Sequence, residues 1–172
     1  KMREYHPTTV LETGFDIIFF WVARMILMST YLLGEVPFKT VYLHGLVRDA
    51  QGRKISKSLG NNIDPLDLIA KYGADAVRMS LVVAVGPGND SKVGEDKVKA
   101  YKNFANKLWN ISRFVLSIAP DVQYDPSFSK WSAPDIEHTK KLDELIKEIT
   151  QEMDEYKFYL VAEKLYHYVW HE

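Results

Sequence analysis

The 172-residue sequence contains no cysteine. Without thiols the chain has no disulfide bond, no thiolate zinc site and no cysteine nucleophile. This composition fits the cytoplasm, where disulfides are rare, and we predict a cytoplasmic protein. The net charge is only −1. The chain therefore has no overall basic field, and any contact with nucleic acid depends on a local cluster of Lys and Arg.

The sequence also lacks an uninterrupted apolar run long enough to cross a membrane. Residues 15–33 come nearest, but Asp16 and Arg24 interrupt them. An Arg near the centre of a span costs about 2.5–3.5 kcal/mol, and the uninterrupted stretch is too short. We therefore expect a buried core helix here, no membrane partner and no signal peptide. Because the sequence begins and ends inside structured patterns, we expect it to be part of a longer chain.

The first sixty residues contain an alternation of strand and helix. β-Branched and apolar residues predict strands over residues 8–12 and 40–47, with a long helix over residues 16–33 between them. This is the spacing of a right-handed βαβ unit with parallel strands. Because two strands alone rarely make a stable sheet, we expect further strands before residue 1, or a fold of another kind.

The rest of the sequence predicts helices. Asp64 and Pro65 are typical of a helix start, since Asp caps free N–H groups and Pro suits the first turn. Residues 95–118 repeat apolar side chains at helical spacing. Residues 119–134 contain three prolines and are predicted to be a linker. Amphipathic helices follow over residues 135–172.

The most informative segment is the basic loop, residues 48–62, with the sequence RDAQGRKISKSLGNN. It holds four basic residues, two glycines and two serines against a single acid, Asp49. It follows a predicted parallel strand, and ligands of open α/β sheets bind beyond the carboxyl ends of strands. A cationic loop there suits a polyphosphate, because its lysines can stabilise charge that grows on a leaving pyrophosphate. The alternative is a solvated basic loop or a nuclear-import-like patch.

Within the basic loop, KISKS at residues 54–58 resembles the KMSKS signature of class I aminoacyl-tRNA synthetases, with Ile in place of Met. Ile keeps an apolar side chain of similar volume. The flanking HGLVRD, GNNIDP and YGAD resemble the group of these enzymes that serves valine, isoleucine and leucine. TTVLETGFDIIFFWVARM from residue 8 and NFANKLWN from residue 103 are similar to the valyl-tRNA synthetases. The resemblance covers nearly the whole chain and is weakest over residues 119–134.

The resemblance implies an α/β Rossmann-like half-domain followed by mostly α-helical regions. Residues 1–62 correspond to the second half of the catalytic domain and residues 63–118 to a helical stem-contact region. Residues 135–172 correspond to the start of an α-helical anticodon-binding domain. The family's HIGH signature and its editing insertion do not occur in these residues. We therefore expect the fragment alone to be inactive.

The resemblance also implies a reaction and its site residues. The enzyme would activate valine with ATP to valyl-adenylate and transfer it to tRNA(Val). Lys57 would contact the ATP phosphates, supported by Lys54 and Ser56. The remaining contacts with ATP or the adenylate would come from Asp16, Gly14 and Glu12 near the ribose, His44 and Gly45 near the adenine, and Ile55 and Ser58 in the loop. Trp21 would line the amino-acid pocket.

Each of these roles has a simpler alternative. Trp21 on an apolar helix is also typical of a core residue. Asp16 also fits a helix cap, and His44 in a strand fits a buried histidine with its hydrogen bonds satisfied. At the level of the whole chain, the alternatives are a non-catalytic tRNA-binding module and an isoleucyl- or leucyl-type relative.

The implied partners are valine, tRNA(Val) and ATP with Mg²⁺. We predict no metal site in the protein, because His167 and His171 share a helical face without a third ligand. On the predicted helix over residues 95–118, Lys99 and Lys102 fall on one basic face and are predicted to contact tRNA phosphates. The alternative is a solvated helix that its lysines keep soluble.

Overall fold

The structure is a computed structural model that describes residues 2–118 and 131–172. The strands are β1 (Thr8–Gly14), β2 (Phe38–His44), β3 (Val47–Arg48) and β4 (Ser91–Lys92). The helices are α1 (Met2–Tyr5), α2 (Ala23–Leu33), α3 (Pro65–Tyr72), α4 (Ala74–Val82), α5 (Glu95–Ile118), α6 (Ala133–Asp154) and α7 (Phe158–His171). Parallel strands followed by a mostly helical region confirm the predicted fold class. The part of the predicted linker over residues 119–130 lies outside the described residues.

The chain forms two compact units, which are described separately. The strand unit comprises Lys1–Ile63 and Val85–Gly94, and the helical unit comprises Asp64–Ala84 and Glu95–Glu172. In the strand unit, β1 and β2 pair in parallel, with Thr8 opposite Phe38 and Gly14 opposite His44. β3 and β4 form a second parallel pair. The strand–helix–strand order predicted from the sequence is therefore confirmed.

The segment between β1 and β2 differs from the predicted buried helix. It begins with a 3₁₀ turn (Phe15–Ile17), continues through a π-helical turn (Ile18–Val22) and becomes α-helical only in α2. Of its side chains, only Val22 and Ser29 are buried, so the predicted core helix is wrong for the described residues. Hydropathy shows how much apolar surface a helix has, but not whether that surface is covered. The two paired strands β1 and β2 offer too little surface to cover this helix.

This segment is long and apolar enough to cross a membrane by length and composition alone. That test also admits core helices and signal sequences, and a single segment that passes it is weak evidence of a span. α2 ends at Gly34, whose φ of 76° is left-handed and suits glycine.

The helical unit has its core where α4, α5 and α7 pack together. Its buried apolar residues are Leu68, Ala76, Val77, Val83, Val98, Phe104, Val161 and Ala162. α3 begins as predicted, with the Asp64 carboxylate accepting the Leu66 N–H and Pro65 in the first turn. α6 begins at Ala133 behind a capping box of Ser132 and Asp135. Two of the predicted linker residues therefore already belong to a helix.

Candidate functional site

Four predicted site residues come together where β1 and β2 end. We call Glu12, Gly14, Asp16 and His44 the strand-end cluster. Because the strands are parallel and in register, Gly14 lies opposite His44. Side chains two residues apart point to the same face of a strand, which places Glu12 beside the same histidine. The His44 Nε2 lies 3.2 Å from the Glu12 Oε1.

Gly14 allows the Asp16 carboxylate to lie over the backbone of β1. A Cβ atom at Gly14 would lie 2.6 Å from the Asp16 Oδ1 and 3.6 Å from the His44 Cε1. Asp16 does not cap the 3₁₀ turn, because no side-chain hydrogen bond is made at its start. Within the described residues, its carboxylate has no hydrogen-bond or ion-pair partner. Both oxygens are therefore free to accept hydrogen bonds from a ligand.

His44 is hydrogen-bonded but not buried. Its Nδ1 lies 2.7 Å from the Gly45 carbonyl oxygen, and the carbonyl accepts, so this nitrogen carries a proton. Its Nε2 faces Glu12, and this contact becomes an ion pair when the ring is protonated. The His44 side chain is 46% exposed. The ring thus has protein partners on both nitrogens while nearly half of the side chain remains exposed.

Gly45 has a packing role that the sequence did not reveal. A Cβ atom there would overlap the carbonyl group of Asn89. The loop over residues 86–90 thus packs directly on the backbone of Gly45, and the Gly88 N–H donates to the Leu43 carbonyl at 2.8 Å. The only sequence signal was the Gly-Pro-Gly-Asn-Asp composition of the loop, which predicts a turn but not its neighbour.

Trp21 lies in the π-helical turn and is 47% exposed. It is therefore not a core residue of the described chain. π-Helical turns are rare and occur often at functional sites. No ring contact or hydrogen bond described for residues 2–118 and 131–172 joins Trp21 to the strand-end cluster.

A network of hydrogen bonds closes the basic loop. The Asp49 carboxylate accepts the N–H groups of Gln51 and Arg53 at 3.1 and 2.8 Å, the Arg53 Nε at 2.8 Å and the Asn61 Nδ2 at 2.9 Å. Asp49 is only 4% exposed. The hydrogen bond from Asn61, with those from Arg53, lowers the pKa of Asp49 from 3.8 to about 2 against the opposing effect of desolvation. Asp49 is therefore ionised across the physiological range.

Asn61 connects this carboxylate to the KISKS backbone. Its Nδ2 also donates to the Lys54 carbonyl at 3.1 Å, and its Oδ1 accepts the Ser56 N–H at 2.9 Å. We call the two side chains and their mutual hydrogen bond the Asp49–Asn61 brace. Sequence reasoning missed both residues. It counted Asp49 only as the lone acid of the loop and gave Asn61 no role.

The predicted loop residues lie at the surface. The Ser56 and Ser58 hydroxyls are 2.6 Å apart, Ile55 is half-buried and Lys54 is exposed. Lys57 begins a short 3₁₀ turn (Lys57–Leu59), and its side chain lies outside the described structure.

Two of the four basic residues of the loop are already paired with carboxylates. Arg53 pairs with Asp49, and the Arg48 Nε contacts the Asp90 carboxylate. Asp90 also accepts the Leu46 N–H at 2.7 Å, and this bond, with that from Arg48, lowers its pKa. These two arginines stabilise the fold through their ion pairs. Counting basic residues in the sequence therefore overestimates how many cations of the loop are available to bind phosphate.

The two predicted tRNA-contact residues lie on α5. Lys99 is exposed, and Lys102 is half-buried with its Nζ 5.8 Å from the centre of the Tyr72 ring. On the same helix, the Lys107 Nζ lies 4.0 Å from the centre of the Trp170 ring. In the described ranges, no group of three or more His, Asp or Glu side chains is placed to hold a metal ion.

Two family models match the chain. Residues 1–94 match the tRNA synthetases class I (I, L, M and V), and residues 135–172 match the anticodon-binding domain of tRNA ligase. The chain is 47% identical to the valine–tRNA ligase of Clostridium acetobutylicum over 99% of its length, and 48% identical to that of Bacillus subtilis over 98%. The chain spans about a fifth of the length of these curated relatives.

Solved structures show the same fold. A Mycobacterium tuberculosis methionyl-tRNA synthetase in complex with methionyl-adenylate superposes with a TM-score of 0.78 at 27% identity, covering 97% of this chain and 33% of that one. The LeuRS of Agrobacterium radiobacter, in a ternary complex with tRNA and LeuAMS, gives a TM-score of 0.84 at 22% identity, covering 95% and 22%. This second likeness concerns the fold alone.

Proposed function

The chain belongs to the class I tRNA synthetases (I, L, M and V), and we propose that it is part of a valine–tRNA ligase. The complete enzyme would join valine to ATP, release pyrophosphate and transfer the valyl group from the adenylate to tRNA(Val). The observation that carries this proposal is the strand-end cluster, with a free carboxylate at the carboxyl ends of parallel strands. The valine–tRNA ligases named above support valine as the amino acid.

The strand-end cluster would hold the adenosine part of ATP. A carboxylate accepts hydrogen bonds from two adjacent hydroxyls, which suits Asp16 to the ribose. Glu12 and Gly14 adjoin it, and Gly14 gives the room that Asp16 needs. His44 and Gly45 would lie beside the adenine. The M. tuberculosis relative is in complex with methionyl-adenylate, which supports an adenylate as the kind of ligand proposed here.

The basic loop would act on the phosphates. Lys57 would contact the triphosphate and strengthen that contact as the pyrophosphate leaves. Lys54 and the Ser56 hydroxyl would support it, with Ile55 and Ser58 completing the KISKS segment. Mg²⁺ would arrive with ATP, since it typically binds substrate phosphates and retains water.

The remaining roles follow the same proposal. Trp21 would line the valine pocket. Residues 63–118 would contact the tRNA stem, with Lys99 and Lys102 on its phosphates, and residues 135–172 would begin the anticodon-binding domain. We propose that the protein acts in the cytoplasm, where charged tRNA is used in translation.

Valine-dependent ATP–pyrophosphate exchange tests the proposal in the full-length protein that carries this sequence. Asp16→Asn should raise the KM for ATP and leave the KM for valine unchanged, because the loss falls on the ribose hydroxyls. Asp67→Asn is the matched control, an exposed aspartate in the first turn of α3. It should exchange like the parent protein.

Three outcomes would contradict parts of the proposal. Exchange that depends on isoleucine or leucine but not valine would identify an isoleucyl- or leucyl-type relative. No binding of a non-hydrolysable valyl-adenylate analogue would favour a non-catalytic tRNA-binding module. Exchange by the 172-residue chain alone would show that these residues suffice for activation, against our expectation.

A further inference from the structure

We propose that Asp49 and Asn61 are positioning residues, whose side chains fix the base of the basic loop so that its lysines are presented to the leaving pyrophosphate. The inference rests on the proposed function and adds to it. Neither side chain is assigned any contact with ATP, and both act through the backbone of the KISKS segment.

The brace joins the two ends of the loop. Asp49 lies directly after β3, and Asn61 lies twelve residues further along. A segment of this length has many conformations, and fixing its ends removes most of them. The Asp49 carboxylate is held in turn by the Arg53 side chain and by the N–H groups of Gln51 and Arg53. The brace is therefore fixed to the base of the loop.

Asn61 contacts the KISKS segment at two backbone groups. One is the Lys54 carbonyl and the other is the Ser56 N–H. With the hydrogen bond to Asp49, both the amide nitrogen and the amide oxygen of Asn61 are used. No other side chain offers two donors and an acceptor in this short, planar form except Gln, which is longer by one methylene.

The brace holds one part of the loop and leaves the other. Beyond Ser56, the Leu59 N–H donates to the Ser56 carbonyl at 3.2 Å, and the Ser58 N–H donates to the Ser56 hydroxyl at 3.2 Å. Gly60 follows with a left-handed φ of 61°. No Asp49 or Asn61 hydrogen bond reaches residues 57–60 in the described structure. The segment over residues 49–56 is thus pre-organised by the brace. The turn that contains Lys57 follows this segment and is positioned through it.

Pre-organisation of this kind affects the chemical step more than substrate affinity. A displacement of about 1 Å in a catalytic group can cost roughly 10²-fold in rate. Asn61→Ala removes the hydrogen bonds to Lys54 and Ser56 together and leaves the Asp49–Arg53 pair in place. We expect the rate constant of valyl-adenylate formation to fall by about that factor, with valine affinity unchanged.

The experiment uses single-turnover adenylate formation and valine binding in the full-length protein that carries this sequence. The matched control is Asn62→Ala, an exposed neighbour with no described hydrogen bond from its side chain. Asn61→Asp places a second carboxylate beside Asp49 and should be as slow as Asn61→Ala.

The outcomes separate this inference from the proposed function. A parent protein that forms no valyl-adenylate would overturn the proposed function and this inference with it. A parent protein that is active, with Asn61→Ala as fast as Asn62→Ala, would overturn the inference alone. So would a loss of valine affinity equal to the loss of rate, because that result indicates a general structural defect.

Discussion

In the strand unit, Asp49 and Asp90 are held by backbone N–H groups and arginines, whereas in the helical unit Glu95 and Glu137 meet lysines on exposed helix surfaces. Asp49 accepts four hydrogen bonds and is almost fully buried. The pairs Lys71–Glu95 and Lys141–Glu137 join side chains that are more than half exposed. Exposed pairs contribute little, because water and salt screen them. Removal of the Asp49 carboxylate should therefore disturb its unit much more than removal of Glu95 or Glu137 disturbs the helical unit.

The sharpest test of this comparison is Lys57→Ala in the full-length protein. Removing one donor from a developing oxyanion typically costs about 2.7–4 kcal/mol, or roughly 10²–10³-fold in rate. We expect adenylate formation, followed by stopped flow, to slow by that factor with valine affinity retained. Lys39→Ala, an exposed lysine near the start of β2, serves as control and should have no effect. An unchanged rate in Lys57→Ala would remove the phosphate role from the loop.

The second test uses the pH dependence of Asp49. Its pKa in the folded chain is about 2, below the ordinary 3.8, so its carboxylate stabilises the loop above about pH 4. That contribution is lost as the pH falls from about 4 to about 2, because protonation removes an acceptor. An NMR titration of the Asn61 side-chain amide should show a midpoint near 2. The Asn62 amide should not follow that transition, and a midpoint near 3.8 for Asn61 would contradict the brace.

A smaller effect is expected on α5 in the helical unit. Replacing Lys99 and Lys102 together by Gln should weaken tRNA binding by the full-length protein. The slope of log K against log salt should fall by about 0.7–0.9 for each phosphate that the variant no longer neutralises. Lys107→Gln is the control on the same helix, because helical spacing places Lys107 off the face that Lys99 and Lys102 share. An unchanged slope in the double variant would leave α5 as a structural helix only.

The smallest effect is expected at the start of α6. Ser132→Ala removes the cap that accepts the Asp135 N–H, which should lower the free energy of unfolding by about 1 kcal/mol. Ser132→Gly should cost only a few tenths of a kcal/mol, since glycine is tolerated at this position. Urea unfolding followed by circular dichroism measures both. Equal losses in the two variants would indicate that the hydroxyl does not cap the helix.

The sequence predicted those elements whose signals are local. α5 was predicted with the bounds that the structure has, and the helix start at Asp64 and Pro65 occurs where backbone chemistry requires it. The resemblance to the synthetases placed both Gly14 and His44 near the adenosine of ATP. In the structure, the parallel register of β1 and β2 sets the two residues opposite each other. Periodicity and caps depend on residues a few positions apart, which a single sequence contains.

Predictions that depended on long-range contacts failed or were missed. The apolar helix of residues 15–33 was predicted to be buried. The hydropathy of a helix does not show whether another part of the protein packs against it. Arg48 was counted as a free cation of the loop, whereas it pairs with Asp90, 42 residues away. Asn61 was overlooked because asparagine in a loop is common, and only the folded geometry shows its three hydrogen bonds.

The peptide between α4 and α5 has a consequence for how the chain can be divided. Val85–Gly94 leaves the helical unit, supplies β4 as the partner of β3, and returns to begin α5. The polypeptide passes between units after residues 63, 84 and 94, so neither unit is a continuous stretch of the gene. A truncation after residue 84 would delete a strand from the first unit as well as three helices from the second. A single protease cut at that junction would leave each unit divided between the two fragments.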